Sequence, residues 1–483
     1  MKSTGEAALP EAGKISSPPR LRIFAPIPAR IAADKTPDDR DRVVDAARAA
    51  ALVVVVIGHG LMAVVAWPDG VPRLGNLLAA FPWTQALTWL LQIMPLFFFA
   101  GGAANALSWD RAQARNTPYA NWLWLRAARL LRPTWVYLAV MCTIAATVTI
   151  LAPSEVARPL MLLMTQLLWF LGAYLLVTAL TPLMRATTRM RGALATAGLL
   201  LAVGLVDAAR FAWGWPEMVG LLNFVLVWAI PAYLGTLRAR GVLARYSALT
   251  LGGVVVASVC LNGVLIREGP WPISLVGMPG EPVSNMAPPS VVLALHGLVL
   301  ACLLTLANGP LTRLLRRPGV WRPVVSVNLA AMTIYLWHLP VLIAVTTLAH
   351  VVHLERPTIL DASGFPVPAG WGYALGSIAF WIVYLTGVWA VVRLMWPFEL
   401  ARLPWWDSPP KASAPQRLWA TVAAAVGVAG VGVSTLVLSA TGLAGFPLEV
   451  VHYAGLPLNP AIAITLLIAS GALIRWAGAA RLG

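Results

Sequence analysis

The chain holds six histidines, and two of them, His59 and His338, stand inside long apolar runs. There a titratable ring costs enough to need a reason. His59 closes the segment RVVDAARAAALVVVVIGHG. Wound as a helix, this stretch lines up Asp45, Arg48, Leu52, Val55 and His59 along one narrow stripe. At a rise of about 1.5 Å per residue, His59 sits roughly 16 Å beyond Arg48, near or past the middle of a bilayer. Gly58 and Gly60 flank the ring and remove the bulk that would keep another backbone or a substrate away from it. An imidazole so placed could serve as a general base near neutral pH or as a nucleophile. A ring bridging two helices through one hydrogen bond is the plainer reading of a lone histidine. The Asp and Arg on the same face favour chemistry.

His338, in AAMTIYLWHLP, lies at a similar depth in another apolar run, just before Pro340, whose ring frees a backbone carbonyl nearby. It is the second candidate. His296 falls in the outer half of a further run, so three histidines could share one polar chamber, although a structural role is the better reading of His296. His350 and His353, in HVVHLE, are one turn apart with Glu355 close by. No third well-spaced ligand accompanies them, and no metal is assigned.

Arginines supply the remaining chemistry. Arg126, Arg129 and Arg132 in WLRAARLLRP could converge their guanidinium forks on phosphate groups. Membrane topology alone also predicts arginines at such a position.

The elements that must position these groups are membrane helices. Of the 483 residues, 59% are hydrophobic and only 11% charged, far from the balance of a water-soluble domain. The chain is read as all-α, a polytopic transmembrane bundle. Apolar stretches long enough to span a bilayer fall near 43–67, 82–107, 134–152, 160–181, 193–210, 217–235, 247–266, 289–307, 324–349, 371–396, 418–440 and 458–478. The net charge of +16 does not signal nucleic acid, because basic residues sit in short runs between apolar segments. They mark alternate connections instead. Arg111, Arg115, Arg126, Arg129 and Arg132 fall in the second, Arg185, Arg189 and Arg191 in the fourth, Arg238, Arg240 and Arg245 in the sixth, and Arg313, Arg316, Arg317 and Arg322 in the eighth. The other connections carry acids such as Glu155, Glu281, Glu355, Asp361 and Glu449. Both termini are therefore expected on the cytoplasmic side of a bacterial inner membrane.

Residues 1–42, rich in Pro, Ala and charge, read as a disordered cytoplasmic tail. A ten-helix core over 43–398 is followed by a Pro-rich linker, 399–416, and two further helices in 417–483, read as an appendage. The Pro- and Gly-rich stretch from Glu268 to Ser290 is an outer loop that could line an acceptor site. Cys142, Cys260 and Cys302 lie in apolar runs with no disulfide or zinc spacing.

This pattern resembles the integral-membrane acyltransferases called acyltransferase family three, in particular actinobacterial members. Asp45, Arg48 and His59 look like the family's Asp, Arg and essential His. MPLFFFAGG looks like its Phe-Gly segment, and WLRAARLLRP like its paired-arginine motif, mapped onto Arg126 and Arg129. LLWFLGAYLL, LNFVLVWAIPAYLG, SLVGMPGEPVSN and MTIYLWHLP also resemble family signatures, extending the likeness over about residues 40–398. The sequence departs from many relatives at Ala-Ile-Pro-Ala-Tyr of the sixth helix, which is less polar.

The resemblance implies transfer of an acyl group from acyl-CoA, a co-substrate rather than a resident cofactor, to a hydroxyl of a sugar, cell-envelope glycan or secondary metabolite. It puts His59 in the catalytic role and Arg126 and Arg129 on the CoA phosphates; His338, from its depth, is the second catalytic candidate, and Arg132, from its spacing, a third arginine for the phosphates. Asp45 and Arg48 go to the cytoplasmic mouth. The competing reading is a twelve-helix secondary transporter with a proton-relaying interior. SWDRAQAR loosely matches the Asp-Arg turn of such proteins, but the glycines around that turn are missing, and the two halves show no repetition. A sensor or scaffold would leave the intramembrane histidines without a role.

Overall fold

The computed structural model describes residues 29–478 apart from 189–191, 279–280, 402, 408–416, 444–445, 448–449 and 454–455. Arg189, Arg191, Glu449, most of the Pro-rich linker and the first 28 residues of the expected tail lie outside the described residues.

The protein is a multi-pass helical bundle. Among the described residues eleven helices are long and apolar enough to cross a membrane, and a bent pair, counted as one span, makes a twelfth. In chain order they are α1 (Arg42–Met62), α2 (Pro82–Ala114), α3 (Tyr119–Leu151), α4 (Ser154–Ala179), α5 (Gly192–Phe211) and α6 (Glu217–Ala239). These are followed by α7 (Ala248–Glu268), α8 (Val291–Leu306), α9 (Ala331–Val351), α10 (Gly370–Glu399), α11 (Leu418–Thr441) and α12 (Pro460–Ala477). Beyond α8 the chain bends by 63° into Asn308–Leu315.

Helix α6 is the bundle's centre, and its apolar window is 67% buried against 17% for the peripheral α7. Lipid is as apolar as leucine, so helix association here depends on close packing. Glycines supply it between α2 and α6. A Cβ on Gly102 would lie 1.9 Å from the Ala232 carbonyl oxygen, and one on Gly235 would lie 1.9 Å from that of Phe99. The less polar Ala-Ile-Pro-Ala-Tyr of α6 is therefore buried packing surface.

Two ends differ from the sequence expectation. Helix α1 stops at Met62, where Ala63–Ala66 becomes a strand, β1, paired antiparallel with β2 (Arg73–Asn76). Its β-branched valines suit a strand better than a helix end. Helix α3 starts at Tyr119, well before the expected 134, because Pro133 is tolerated within it. All three arginines of WLRAARLLRP therefore sit on helix. A second hairpin, β3 (Thr358–Leu360) with β4 (Pro366–Pro368), joins α9 to α10 and packs on the first. Gly75 permits that contact, since a Cβ there would be 2.4 Å from the Pro366 carbonyl oxygen. Together the hairpins cover the end of α1 opposite the arginines.

Part of the expected tail is ordered. Ala29–Asp34 is a short helix on Pro318–Leu329, and Trp321 donates its indole N–H to Thr36. Asp41 then caps α1 through the Val44 N–H and takes a two-point ion pair from Arg238 at the end of α6.

The two last helices share the main hydrophobic core. Val428, Val431 and Leu438 of α11 and Leu467 and Ile474 of α12 are buried in the same cluster as α2, α3, α4 and α6. Helix α11 lies along α4 so closely that a Cβ on Gly172 would be 2.2 Å from the Thr435 hydroxyl.

Candidate active site

His59 sits in the last turn of α1 and His338 midway along α9. Their side chains meet, with His338 Nε2 3.1 Å from His59 Nδ1 and ring centroids 5.2 Å apart. The two rings, expected at a similar depth, are thus in contact. His338 is wholly enclosed, whereas His59 is part-accessible.

Backbone carbonyls set the tautomers, because a carbonyl can only accept. His338 Nδ1 is 3.1 Å from the Ile334 carbonyl oxygen, so Nδ1 carries its proton and Nε2 is left with a lone pair. That lone pair faces His59 Nδ1, which is also 3.0 Å from the Val55 carbonyl oxygen. His59 Nδ1–H therefore donates to both acceptors. The nitrogen left with a free lone pair at the accessible ring is His59 Nε2. This is the arrangement of a base held by an orienting partner behind it.

The neighbours of His338 are fixed in turn. Tyr335, one turn earlier on α9, places its ring 6.2 Å from that of His338 and donates its hydroxyl to the Leu167 carbonyl at 2.7 Å. Leu167 lies at a break in α4. The Phe170 N–H reaches back only to Leu167, which frees the Gln166 carbonyl. Ser439 of α11 donates to that carbonyl, while Tyr137 of α3 donates to Met164. Thr165 of the same stretch donates to Leu438 at 2.7 Å. Membrane helices tolerate such breaks where neighbours re-satisfy the freed groups. The α4 break thus joins α11 to the histidine pair through Tyr335. At the other end of α9, Glu399 of α10 accepts from the Met332 and Thr333 N–H groups at 3.4 and 3.1 Å and from the Thr333 hydroxyl at 2.7 Å. A carboxylate there suits the positive end of a helix.

An aromatic column runs from the histidines toward the arginines. Phe170 packs on Tyr335 at 4.9 Å, Phe97 on Phe170 at 4.9 Å, and the Arg48 guanidinium lies over Phe97 at 5.4 Å. Arg48 is within electrostatic reach of Tyr174, Arg129, Asp45 and Glu399, and Arg126 of Tyr174, Arg129, Arg111 and Arg48, while Arg129 is also within reach of Glu399. The Arg48 Nε is buried with no partner among the described residues. Neither Arg126 nor Arg129 makes a hydrogen bond there. Donors left vacant on neighbouring arginines are the kind of group that recognises an anion, with Glu399 and Asp45 offsetting part of the charge.

Other sequence candidates stand apart. Arg132 forms a two-point ion pair with Asp407 and reaches the Glu399 carbonyl at 3.5 Å. Three-residue spacing turns each arginine about 60° from the last on a helix, so Arg132 faces α10 and the linker while Arg126 faces Arg48. Asp45 shares the His59 stripe but accepts both nitrogens of the Arg40 fork at 2.7 and 2.8 Å, at the far end of α1. His296 bonds the Gln92 carbonyl at 3.0 Å and does not join the pair. His350 stacks on Trp67 at 4.3 Å and reaches Glu355 at 2.6 Å, an exposed contact that holds the carboxyl below its ordinary range. Among the described residues no group of three His, Cys, Asp or Glu is arranged to hold a metal.

A family model described as an acyltransferase domain, Acyl_transf_3, matches residues 41–398, well over half of the chain. The protein belongs to this acyltransferase family. No curated protein and no solved structure matches it significantly. The match contains both histidines and the whole arginine cluster and ends at the last turn of α10, so α11 and α12 lie beyond it. It also decides against the transporter reading. The chain is a multi-pass membrane acyltransferase.

Sequence reading missed Tyr335, Glu399 and Asp207. Glu399 and Asp207 were visible as acids at or within apolar helices. Asp207, almost fully buried, accepts from Asn223 at 3.0 Å and from the first N–H of α8 at 2.8 Å. Tyr335 carried no signal, since a tyrosine in an apolar run is unremarkable until its hydroxyl finds a carbonyl.

Proposed function

We propose that the protein takes an acyl group from acyl-CoA on the arginine-bearing face and delivers it to an acceptor hydroxyl at His59. The observation that carries this reading is the contact between His59 and His338, which leaves one accessible nitrogen, His59 Nε2, unprotonated and aimed by a fixed ring.

In this reading the CoA phosphates lie on Arg126, Arg129 and Arg48, and the pantetheine arm follows the Phe97–Phe170–Tyr335 column inward. The distance along α1 from Arg48 to His59, roughly 16 Å, suits an extended arm of that kind. Arg132, already neutralised by Asp407, contributes to the fold instead. His59 Nε2 removes the proton of the acceptor hydroxyl as the oxygen attacks the thioester carbonyl. The positive charge on the ring is shared with the Val55 carbonyl and the His338 lone pair. When the tetrahedral intermediate collapses, the C–S bond breaks and the departing thiolate takes the proton from His59 Nε2. The ester and free CoA leave. General-base catalysis of this kind contributes about 10²- to 10⁴-fold.

The same nitrogen could carry the acyl group as an acyl-imidazole, but the hydrogen-bonded partner behind Nδ1 chiefly serves a ring that becomes cationic. The acceptor is a hydroxyl of a sugar, envelope glycan or secondary metabolite, reached from the face opposite the arginines. On this reading the membrane is the bacterial cytoplasmic membrane and the arginine-bearing face, with both termini, is cytoplasmic. Membranes supplied with radiolabelled short-chain acyl-CoA should label an envelope or small-molecule fraction with the wild type and not with His59→Ala. Equal labelling with correctly inserted His59→Ala protein would overturn the reading.

A further inference from the structure

Arg356 lies in the segment between α9 and α10, on the face opposite the arginine cluster. Its guanidinium lies 4.0 Å from the Phe380 ring centroid and 4.6 Å from that of Tyr373. Nη2 donates to the Ala63 carbonyl oxygen at 2.8 Å. The other two nitrogens make no hydrogen bond among the described residues. The nearest acids in sequence are engaged elsewhere, Glu355 with His350 and Asp361 with the N–H groups of Ser363 and Phe365 in its own loop.

A half-buried cation without a carboxylate is costly unless an anion completes it. Aromatic faces fix its plane but do not neutralise it. The position matters as much as the charge. Ala63 lies four residues beyond His59, just past the end of α1, and its N–H is bonded to the His59 carbonyl. Phe380, which packs on Arg356, also stacks on Tyr384, whose hydroxyl donates to the Val56 carbonyl in the turn below His59 at 3.2 Å. Arg356 is thus fixed to the same stretch of α1 that carries the accessible ring.

We propose that Arg356 is an acceptor-binding residue that holds a phosphate oxyanion on the acceptor, with the hydroxyl to be acylated one helical turn deeper at His59. This rests on the reading of His59 as the reacting centre. Two parallel N–H groups of a guanidinium match two oxygens of a phosphate; Nη2 spends one of its two N–H groups on Ala63, so its second N–H, with the N–H of Nε or Nη1 beside it, leaves one such edge open. The phosphate could belong to a lipid headgroup or to a soluble phosphorylated molecule.

The test reads occupancy at His59 directly and needs no turnover. Protein in phosphatidylcholine nanodiscs is treated with diethyl pyrocarbonate, and the rate of modification at His59 is followed by peptide mass spectrometry. The additions are glucose 1-phosphate, glucose, or a phosphatidylglycerol fraction in the disc. Protection by glucose 1-phosphate but not glucose identifies a soluble phosphate, and protection only with phosphatidylglycerol identifies a lipid. In Arg356→Gln the half-protecting concentration should rise about tenfold to a hundredfold, as for loss of one or two charge-assisted hydrogen bonds. If Arg356→Gln does not insert, Arg356→Lys, which keeps the charge but loses the fork, should raise it severalfold. No protection in the wild type, or equal protection in an inserted variant, overturns the proposal. Loss of acyl transfer with protection intact would instead count against the function proposed above.

Discussion

Replacing His338 by alanine removes one hydrogen-bond acceptor from His59 and nothing else from the accessible face of that ring. The Val55 carbonyl remains 3.0 Å from His59 Nδ1, so the ring keeps its tautomer and loses only the second acceptor, the His338 Nε2 at 3.1 Å. A hydrogen bond to a group that becomes charged contributes about 1.5–3 kcal/mol, which corresponds to roughly a tenfold to hundredfold fall in rate. His59→Ala removes the base itself and should cost more, about 10²- to 10⁴-fold. His338→Gln, whose side-chain oxygen can accept in place of Nε2, should recover much of the loss. The assay is the acyl-transfer rate of purified protein in nanodiscs, normalised to folded protein by thermal unfolding. The decisive comparison is the double variant. If His338 acts only through His59, then His59→Ala with His338→Ala is no slower than His59→Ala alone, because residues acting as a unit are not additive. A further tenfold loss in the double variant would refute the relay.

Arg126→Ala and Arg129→Ala should raise KM for acyl-CoA about tenfold with a smaller change in kcat, read from steady-state rates. Arg132→Ala and Asp407→Asn should leave that KM in place and lower the unfolding temperature, with the double variant no worse than either alone, measured by thermal unfolding in detergent. Gly235→Leu should prevent correct packing of α2 on α6, because even a Cβ there meets the Phe99 carbonyl oxygen at 1.9 Å; a monodisperse protein of wild-type unfolding temperature would contradict it. Ser439→Ala should destabilise by about 1 kcal/mol and slow transfer with KM for acyl-CoA unchanged, through the α4 break that holds Tyr335. Ser439→Thr should restore both, as judged by unfolding temperature and kcat.

How far the sequence carried the account depends on which forces were local. Span number follows from hydropathy, which is carried by consecutive residues, and so was legible. His59 and His338 were legible as candidates because a titratable ring in an apolar run is conspicuous, and their similar depth followed from helical rise. Their contact was not, since it depends on α1 and α9 being neighbours 279 residues apart. The stripe through Asp45, Arg48 and His59 was correctly placed on one face, but it passes through three environments. Asp45 ends on Arg40, Arg48 on the aromatic column and His59 on His338. Arg132 shared the spacing of Arg126 and Arg129, and its partner Asp407 lay across a linker that no spacing rule connects to it. The last two helices read as an appendage because the Pro-rich stretch before them looks like a boundary. What that composition does not carry is the run of small residues in α11 that lets it lie against α4.

Acyl transfer at His59 Nε2, with the ring oriented by His338, is the step on which the proposed mechanism turns. It is tested most directly by single-turnover transfer from radiolabelled acyl-CoA in nanodiscs, with envelope extract as acceptor. The wild type should release CoA and label one acceptor fraction, His338→Ala should do so roughly ten to a hundred times more slowly, and His59→Ala should retain the folded state without forming labelled product. Labelled product at the wild-type rate from folded His59→Ala protein would contradict the claim.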